Sequence, residues 1–84
     1  MPRYYFHLEC DGRIVPDETG AELRDADQAC AAARASARNL MGMETEAGVD
    51  WLSCSFSVTD DTGEIVLEVP FIEVAEEDAQ EHLN

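Results

Sequence analysis

Apolar and small polar residues alternate along two neighbouring stretches in the second half of the chain. The apolar positions of the two stretches are Leu52, Cys54, Phe56 and Val58, followed by Ile65, Leu67, Val69 and Phe71. A period of two places alternate side chains on one face of a β-strand. The turn-forming segment 60–63, Asp-Asp-Thr-Gly, separates the two stretches. The pattern therefore predicts a β-hairpin with its apolar residues on a single face.

The length of the loop decides which residues of this hairpin face each other. A four-residue loop at 60–63 pairs Val58 with Ile65, Phe56 with Leu67, Cys54 with Val69, and Leu52 with Phe71. A three-residue loop shifts the register by one and sets Phe56 against Glu68, which mixes apolar and charged positions. Gly63 suits the longer loop, because glycine readily adopts the left-handed conformation that closes it. We therefore predict the four-residue loop.

The N-terminal segment 3–9 also alternates and is rich in aromatic residues, which is typical of a strand. One face carries Tyr4, Phe6 and Leu8, and the other carries Tyr5, His7 and Glu9. Turn segments follow at 11–12 and 16–20, and the short apolar pair between them fits at most an edge strand. The first strand is expected to join the hairpin, either parallel to its first strand or antiparallel to its second.

A helix is predicted to begin after Asp25. Asp25 and Gln28 have the spacing of a capping box, and the segment that follows is rich in alanine, the best helix former. At about 100° per residue, one stripe of this helix contains Ala26, Ala29, Cys30, Ala33, Ala37, Leu40 and Met41. Gly42 is typical of a helix end.

Together these elements predict an α+β fold, in which a three-stranded, mostly antiparallel sheet carries one helix on one face. A short extra edge strand at 14–15 would extend the sheet. We interpret residues 1–72 as a single compact domain, with residues 43–50 as the connection into the hairpin. Residues 73–84 form an acidic C-terminal tail, predicted to be either frayed or a short helix.

Charge and cysteine content narrow the range of partners. The 84 residues include five arginines, no lysine and 19 acidic residues, for a formal net charge of -14. This charge repels phosphate backbones and anionic lipids, so neither nucleic acid nor membrane is an expected partner. Three cysteines without metal-ligand or C-x-x-C spacing predict reduced thiols. The N-terminal residues show no apolar run typical of a secretion signal. A cytoplasmic protein is expected.

Several motifs occur together in the chain and resemble those of a known family. They are Pro2-Arg3-Tyr4-Tyr5-Phe6-His7-Leu8, Asp11-Gly12, Pro16-Asp17-x-x-Gly20-x-x-Leu23-x-Asp25, Val58-Thr59-Asp60-x-x-Gly63 and Val69-Pro70-Phe71. The chain resembles, over residues 2 to about 72, a family of short bacterial proteins that is described only as a domain of unknown function. The resemblance implies a stand-alone cytosolic domain and carries no activity, cofactor or catalytic residue with it.

Two groups of residues superficially suggest a metal site. The first group is His7, Glu9, Cys10 and Asp11, and the second is Asp11, Asp17, Glu18 and Asp25. In the first group Cys10 points away from the face shared by His7 and Glu9, and the second lacks the regular spacing of a calcium loop. A solvated strand end, turn formation and helix capping explain these residues better. We therefore predict no metal, no cofactor and no catalytic site.

The cysteines and arginines have similarly plain interpretations. Cys30 and Cys54 are expected at core positions and could approach each other there, but the favoured interpretation is that each is simply a small buried thiol. Arg34 and Arg38 lie four residues apart on the flank of the helix and could bind a carboxylate or phosphate between them. Contacts with the helix dipole and with nearby acids, such as those of the tail, are the favoured alternative.

The sheet face opposite the helix is the favoured site of function. Its predicted members are Tyr5, His7, Trp51, Ser53, Ser55, Ser57, Val66 and Glu68. Aromatic residues among small polar ones are typical of an interaction surface, although a solvent-wetted amphipathic sheet explains them equally well.

The sequence therefore predicts a small non-enzymatic protein-interaction module. It would associate through this open face, either with a second copy in a homodimer or with another, basic protein. The alternatives are a minor enzyme or ligand binder that uses the His7 and Arg34/Arg38 regions, and an acidic decoy of a nucleic-acid-binding surface. A thin domain offers little concavity for the enzyme.

Overall fold

The structure of the protein is a computed structural model that describes residues 1–42 and 50–82. The elements in chain order are β1 (Arg3–Cys10), β2 (Arg13–Val15), β3 (Ala21–Glu22), α1 (Ala26–Met41), β4 (Cys54–Thr59), β5 (Ile65–Pro70) and α2 (Phe71–His82). A 3₁₀ turn at Trp51–Ser53 precedes β4. The α+β class is confirmed, but within residues 1–42 and 50–82 the sheet has five strands and is covered by two helices.

The sheet is antiparallel throughout, with the order β2-β1-β4-β5, and β3 pairs separately with β1. β2 is the edge strand that the Ile14-Val15 pair predicts. It pairs with the end of β1, where Leu8 faces Val15, and β3 pairs with the beginning, where Tyr4 faces Ala21. The loop 16–20 joins these two short strands along the length of β1.

β1 pairs with β4, which differs from both arrangements expected for the first strand. The two strands are antiparallel, with Tyr5 opposite Thr59 and Cys10 opposite Cys54. The antiparallel pairing of β1 with β4 follows from the connections between them. β3 returns the chain to the beginning of β1, and α1, whose 16 residues span roughly 24 Å, carries it back to the other end. The chain therefore enters β4 beside the last residue of β1.

The β4–β5 hairpin has the predicted strands in a different register. Asp60 donates its backbone N–H to Glu64 O at 2.9 Å, and Gly63 N–H donates to Asp60 O at 3.1 Å, so that only residues 61–63 form the loop. Gly63 is in the left-handed region with φ 88°. The four-residue loop was therefore wrong, and Thr59 faces Ile65.

A β-bulge then restores the apolar pairing that the sequence predicts. The register shifts between Val58 and Thr59, because Val66 is an extra residue on β5. Apolar pairs result, but they are Val58 with Leu67 and Phe56 with Val69 rather than the predicted ones. Ile65 lies outside these pairs and is 60% exposed. A bulge inserts one residue without moving the buried face to solvent, which a simple slip of register would do.

The Asp60 side chain organises this hairpin loop. Its Oδ1 accepts hydrogen bonds from the Thr62 hydroxyl at 2.6 Å, from Thr62 N–H at 2.9 Å and from Glu64 N–H at 3.1 Å. The hydrogen bond from the Thr62 hydroxyl lowers the pKa of Asp60 below its ordinary value; desolvation opposes this shift, and the hydrogen bonds from the loop amides add to it. A carboxylate that satisfies loop amides favours the tight turn over an open one.

The α1 helix confirms the predicted capping and most of the predicted stripe. Gln28 N–H donates to Asp25 Oδ1 at 2.9 Å, and Gln28 Oε1 accepts from Arg24 N–H at 2.6 Å. Ala29, Ala33 and Ala37 have no solvent exposure, whereas Ala26 in the first turn is exposed. The three alanines let the helix lie close to the sheet, and they form one core with residues of β1, β4 and β5.

A second helix on the same side of the sheet corrects the expectation of a single helix. α2 begins at Phe71 immediately after β5, and Phe71 and Val74 are fully buried. The Phe71 ring lies 5.2 Å from the Phe56 ring, measured between centroids. Phe71 continues the period of two after Val69 but also begins a helical spacing with Val74, and tertiary packing selects the helix. The domain boundary at 72 stays a prediction, although α2 runs across this position.

Substitution of the central alanine of α1 tests how closely this helix packs. We expect Ala33→Leu to lower the free energy of unfolding by about 1 to 3 kcal/mol, because added methylenes overpack a filled core. Ala35→Leu is the matched control, since Ala35 is exposed on the same helix, and it should change stability by less than about 0.5 kcal/mol. Thermal or chemical denaturation measures both. Equal midpoints for the two variants would contradict this packing.

Candidate functional site

The face of the sheet opposite the helices brings together five of the eight residues predicted for the interaction surface. His7 of β1 lies opposite Ser57 of β4, which in turn lies opposite Glu68 of β5. On the same two strands, Tyr5 lies two residues before His7 and faces Thr59, and Ser55 lies two residues before Ser57 and faces Glu9. Because residues paired across a sheet project on the same face, these side chains share one face, which we call the open face. Ser57, at its centre, is only 7% exposed between its neighbours.

Trp51 and Ser53 do not lie on the open face. Asp50 Oδ1 accepts the Leu52 N–H at 3.1 Å and so caps a 3₁₀ turn, and β4 begins only at Cys54. The Trp51 ring stacks on Phe71 at 6.1 Å, on the helix side of the sheet. Leu52, predicted to pair with Phe71, is consequently 52% exposed. The alternation seen in the sequence extends further than the strand.

Val66, the last of the eight, lies at the bulge of β5 and is 38% exposed. Two further aliphatic side chains accompany the open face. Ile14 of β2 faces Glu9, and Ile65 faces Thr59, so both project on this side, and they are 61% and 60% exposed. The alternation within β2 and β5 could have identified them, but only once the register of each strand was known.

His7 is held in place at both of its ring nitrogens. Asp17 N–H donates to Nδ1 at 3.1 Å, and Nε2 lies 3.0 Å from Thr59 Oγ1. Since Nδ1 accepts a hydrogen bond from an amide, the proton of the neutral ring is on Nε2, which donates to the threonine. The ring also stacks with Tyr5 at 6.4 Å and an interplanar angle of 11°. The orientation of the His7 ring on the open face is therefore fixed.

Asp17 is a key residue whose importance the sequence conceals. Its Oδ2 accepts the Phe6 N–H of β1 at 3.1 Å, between the residues of β1 that pair with β3 and with β2. Its Oδ1 accepts the Thr19 and Gly20 N–H groups, each at 3.1 Å. One carboxylate thus closes the loop 16–20 and fastens it to the central sheet. The turn was predicted, but its attachment to β1 depends on a long-range contact.

The pKa of Asp17 reflects these contacts. Partial burial opposes ionisation, but the hydrogen bonds from Phe6, Gly20 and Thr19 and the nearby His7 ring outweigh it and lower the pKa below its ordinary value of 3.8. Hydrogen bonds that a carboxylate accepts stabilise its ionised form. The folded state therefore stabilises the ionised form of Asp17 over the protonated form.

Gly20 allows the loop to approach β1 closely. Its φ of 70° is left-handed, and a Cβ at this position would lie 2.9 Å from both Tyr4 O and Tyr5 Cε2. Such distances are shorter than side-chain atoms tolerate, so only glycine fits here without a shift of the neighbouring backbone. The motif Pro16-Asp17-x-x-Gly20 thus has a structural role: it packs the loop 16–20 against β1, at the edge of the open face.

Cys10 and Cys54 form a disulfide bond, which corrects the expectation of reduced thiols. Their Cα atoms are 4.2 Å apart, as the two residues face each other across β1 and β4. Cys30, expected to be a small buried thiol, is a free cysteine on α1 and is only partly buried. The prediction of a cytoplasmic location rested partly on reduced thiols and loses that support, because disulfides persist mainly in oxidising compartments.

Two grooves lie beside this disulfide at the end of the sheet. The smaller, about 250 Å³, is lined by residues that include Glu9, Cys10 and Ser55. The larger, about 540 Å³, is lined by Leu8, Cys10, Asp11, Arg13, Val15, Asp50, Trp51 and Ser53. Their walls are partly apolar and partly charged. The Trp51 indole N–H is buried without a hydrogen-bond partner in the described part of the chain.

The remaining predicted candidates occupy separate places. Arg34 forms an ion pair with Glu77, so α1 contacts the acidic segment that follows β5, as the favoured alternative expected. Arg38 lies in the last turn of α1. Asp25 caps α1, and Asp11 forms a turn with φ 50°. Among the described side chains, those of residues 1–42 and 50–77, no group of three or more His, Cys, Asp or Glu is arranged to hold a metal ion.

These features define a small antiparallel α+β domain with helices on one face and an open, aromatic and serine-lined surface on the other. The chain belongs to the family described as Domain of unknown function (DUF6894), which matches residues 3–72. The predicted resemblance is thereby confirmed as to the kind of family, and the bacterial origin stays a prediction. Comparisons with curated proteins and with solved structures find no match. No helix in the described segments is long and apolar enough to cross a bilayer.

Replacement of Gly20 should be more harmful than replacement of another left-handed glycine. Gly63 has φ 88° with no atom near the site of a Cβ, so Gly63→Ala should cost only the left-handed conformation, about 1 to 2 kcal/mol. Gly20→Ala adds the overlap with Tyr4 and should cost about 1 to 3 kcal/mol more. Chemical denaturation of both variants measures the difference. Equal losses would show that the loop lies farther from β1.

Loss of the Asp17 carboxylate should remove both stability and part of its dependence on pH. We expect Asp17→Ala to lower the free energy of unfolding at pH 7 by roughly 1 to 3 kcal/mol, because three amides lose an acceptor. Since the folded-state pKa is below 3.8, the contribution of Asp17 is present above that value and is lost as the pH falls through the folded-state pKa.

The measurement is chemical denaturation of wild type, Asp17→Asn and Glu18→Gln between pH 2 and pH 7. Asp17→Asn should flatten the acid limb of the stability profile, whereas the exposed neighbour Glu18 should leave it unchanged. Parallel profiles for wild type and Asp17→Asn would contradict the stabilising function of the ionised carboxylate.

Proposed function

We propose that this domain is a non-enzymatic protein-interaction module that binds a basic partner protein through its open face. The observation that carries the proposal is the placement of both helices on one side of the sheet. The other side is left with an aromatic pair, small hydroxyl residues and exposed aliphatic side chains. Antiparallel sheets tolerate a wet face, and large rigid side chains on such a face bury area at little cost in entropy.

The distribution of small and large side chains on the open face suits the binding of an extended peptide segment of the partner. β4 contributes Ser55, Ser57 and Thr59 along the centre, whereas β1 contributes the larger Tyr5, His7 and Glu9 on one side. Glu68 of β5 lies on the other side of Ser57. Small residues between rows of larger ones form a shallow trough along β4, and fixing Tyr5 and His7 in advance reduces the entropy lost on binding.

Charge selects the chemistry of the partner. The chain carries a net charge of -14, and Glu9 and Glu68 border the trough itself. A second copy, a phosphate backbone or an anionic lipid surface would be repelled, whereas lysine and arginine side chains would be attracted and steered toward the face. A basic protein segment is therefore favoured over a homodimer.

The geometry disfavours the two alternative functions. His7 is on the open face, whereas Arg34 is on α1 and pairs with Glu77 on the helix side, so the groups named for an enzyme or ligand site do not converge. A decoy of a nucleic-acid-binding surface needs its carboxylates concentrated on one face. Here Glu68 lies on the open face and Glu77 on α2, on the opposite side of the sheet.

Titration with a basic peptide tests the proposed face. It compares wild type with two variants, Glu68→Arg and Glu76→Arg, which change the net charge by the same amount. The probe is a short peptide of alternating lysine and valine, and the readout is the set of amide chemical shifts of the labelled protein. We expect shifts at Tyr5, His7, Ser55 and Ser57, and a binding constant weakened about threefold to tenfold by Glu68→Arg, because exposed charge pairs contribute up to about 1 kcal/mol each.

Glu76→Arg is the matched control, since Glu76 is exposed on α2, away from the open face. It should weaken binding by less than about twofold once salt screens long-range attraction. Equal weakening by both variants, or shifts confined to α1 and α2, would contradict the proposed face. Light scattering on a sizing column adds the self-association outcome. A wild-type dimer that Tyr5→Glu dissociates without unfolding would make a second copy the partner instead.

A further inference from the structure

One row of the sheet brings a cation and a disulfide side by side. Cys10 of β1 lies opposite Cys54 of β4 on one side and opposite Arg13 of β2 on the other. Residues paired in this way project on the same face, so the Arg13 side chain emerges beside the Cys10 sulfur. Arg13 and Cys10 also line the same groove of about 540 Å³.

The two bonded cysteines differ sharply in exposure. Cys54 is 2% exposed and belongs to the core, whereas Cys10 is partly exposed and lines both grooves at this end of the sheet. Thiol–disulfide exchange requires a thiolate to reach one sulfur atom directly, so access decides which sulfur is attacked. Only the Cys10 side of this bond is open to such an approach.

We propose that the Cys10–Cys54 disulfide is a thiol-exchange site at which an external thiol attacks Cys10 and releases Cys54. The attacking thiolate forms a new S–S bond with Cys10 Sγ. The Cys10–Cys54 bond breaks, and its electron pair leaves with Cys54, which takes up a proton from water. The product is a mixed disulfide on Cys10 and a free thiol at Cys54.

A second external thiol completes the reduction. It attacks the external sulfur of the mixed disulfide, and the electron pair of that bond leaves with Cys10. The domain gains two electrons and two protons in all, and the two external thiols become a disulfide. The reductant is of the monothiol class, such as glutathione, or a protein dithiol that supplies both sulfurs.

Arg13 assists this exchange in two ways. A cation beside a sulfur stabilises the thiolate, so Arg13 favours departure of Cys10 in the second step. It also attracts an anionic thiol into a groove that Asp11 and Asp50 otherwise make acidic. Reduction would remove the covalent link between the end of β1 and the start of β4, beside the 3₁₀ turn that carries Trp51, and would leave the backbone ladder to hold the two strands together.

The experiment exposes the native protein to reduced glutathione and quenches samples with N-ethylmaleimide. Peptide mapping by mass spectrometry then locates each adduct. We expect glutathione on Cys10 and maleimide on Cys54, and the same pattern in Cys30→Ala, which removes the free cysteine of α1. Glutathione on Cys54, glutathione shared equally between both, or exchange that occurs only after denaturant is added would overturn the proposal.

Two arginine variants test the electrostatic part. Arg13→Ala should slow the release of glutathione from Cys10 by about threefold, since the rate of exchange depends on how well the leaving thiolate is stabilised. Arg24→Ala removes an equal charge from an exposed site beside Asp25 and should leave this rate unchanged. Equal release rates in the two variants would overturn the assignment of Arg13.

Discussion

The antiparallel ladder between β1 and β4 joins the first ten residues of the chain to residues 54–59, and every other element is placed by it. It puts Phe6 against Val58 and Leu8 against Phe56 on the helix side. On the opposite side it puts His7 beside Ser57. These contacts are far apart in sequence, so their formation orders a long intervening segment at a large entropic cost. The disulfide between Cys10 and Cys54 lies at the end of the same ladder and reinforces it.

A thin domain must bury at least one face of its sheet. The two helices both cover the same face here, but they pack against it with side chains of different size. α1 presents alanines and lies close to the sheet, whereas α2 inserts Phe71 between Phe56 and Trp51. The ion pair between Arg34 and Glu77 connects the two helices at the surface. With both helices on one side, apolar burial is concentrated there and the open face remains available for polar and aromatic contacts.

Local signals in the sequence were sufficient where the structure depends on neighbours in the chain. The bounds of α1 follow from Asp25, the alanine-rich segment and Gly42, and β1 follows from its aromatic alternation. The hairpin register did not follow, because a bulge at Val66 can restore apolar pairing after a shorter loop. Phe71 fits two periods equally well, and packing against Phe56 decides between them.

The residues that hold the site together were less predictable for the same reason. Asp17, Gly20 and the Cys10–Cys54 bond all act across β1, and their partners become visible only when the order of the strands is known. The sequence predicts Trp51 on the open face because the alternation begins before β4 does, and the Asp50 cap makes residues 51–53 a 3₁₀ turn. Sequence periodicity reports which residues share a face, but not where pairing stops.

The bulge in β5 has a consequence for the protein in concentrated solution. β5 is the last strand in the order of the sheet, so its outer edge carries backbone groups that a neighbouring chain could pair with. The extra residue at Val66 interrupts the regular spacing of those groups, and Pro70 removes a donor at the other end. Glu68 adds a charge between them. The bulge at Val66 therefore has two effects. It keeps the apolar residues of β5 in register with β4, and it hinders pairing of this edge with a neighbouring chain.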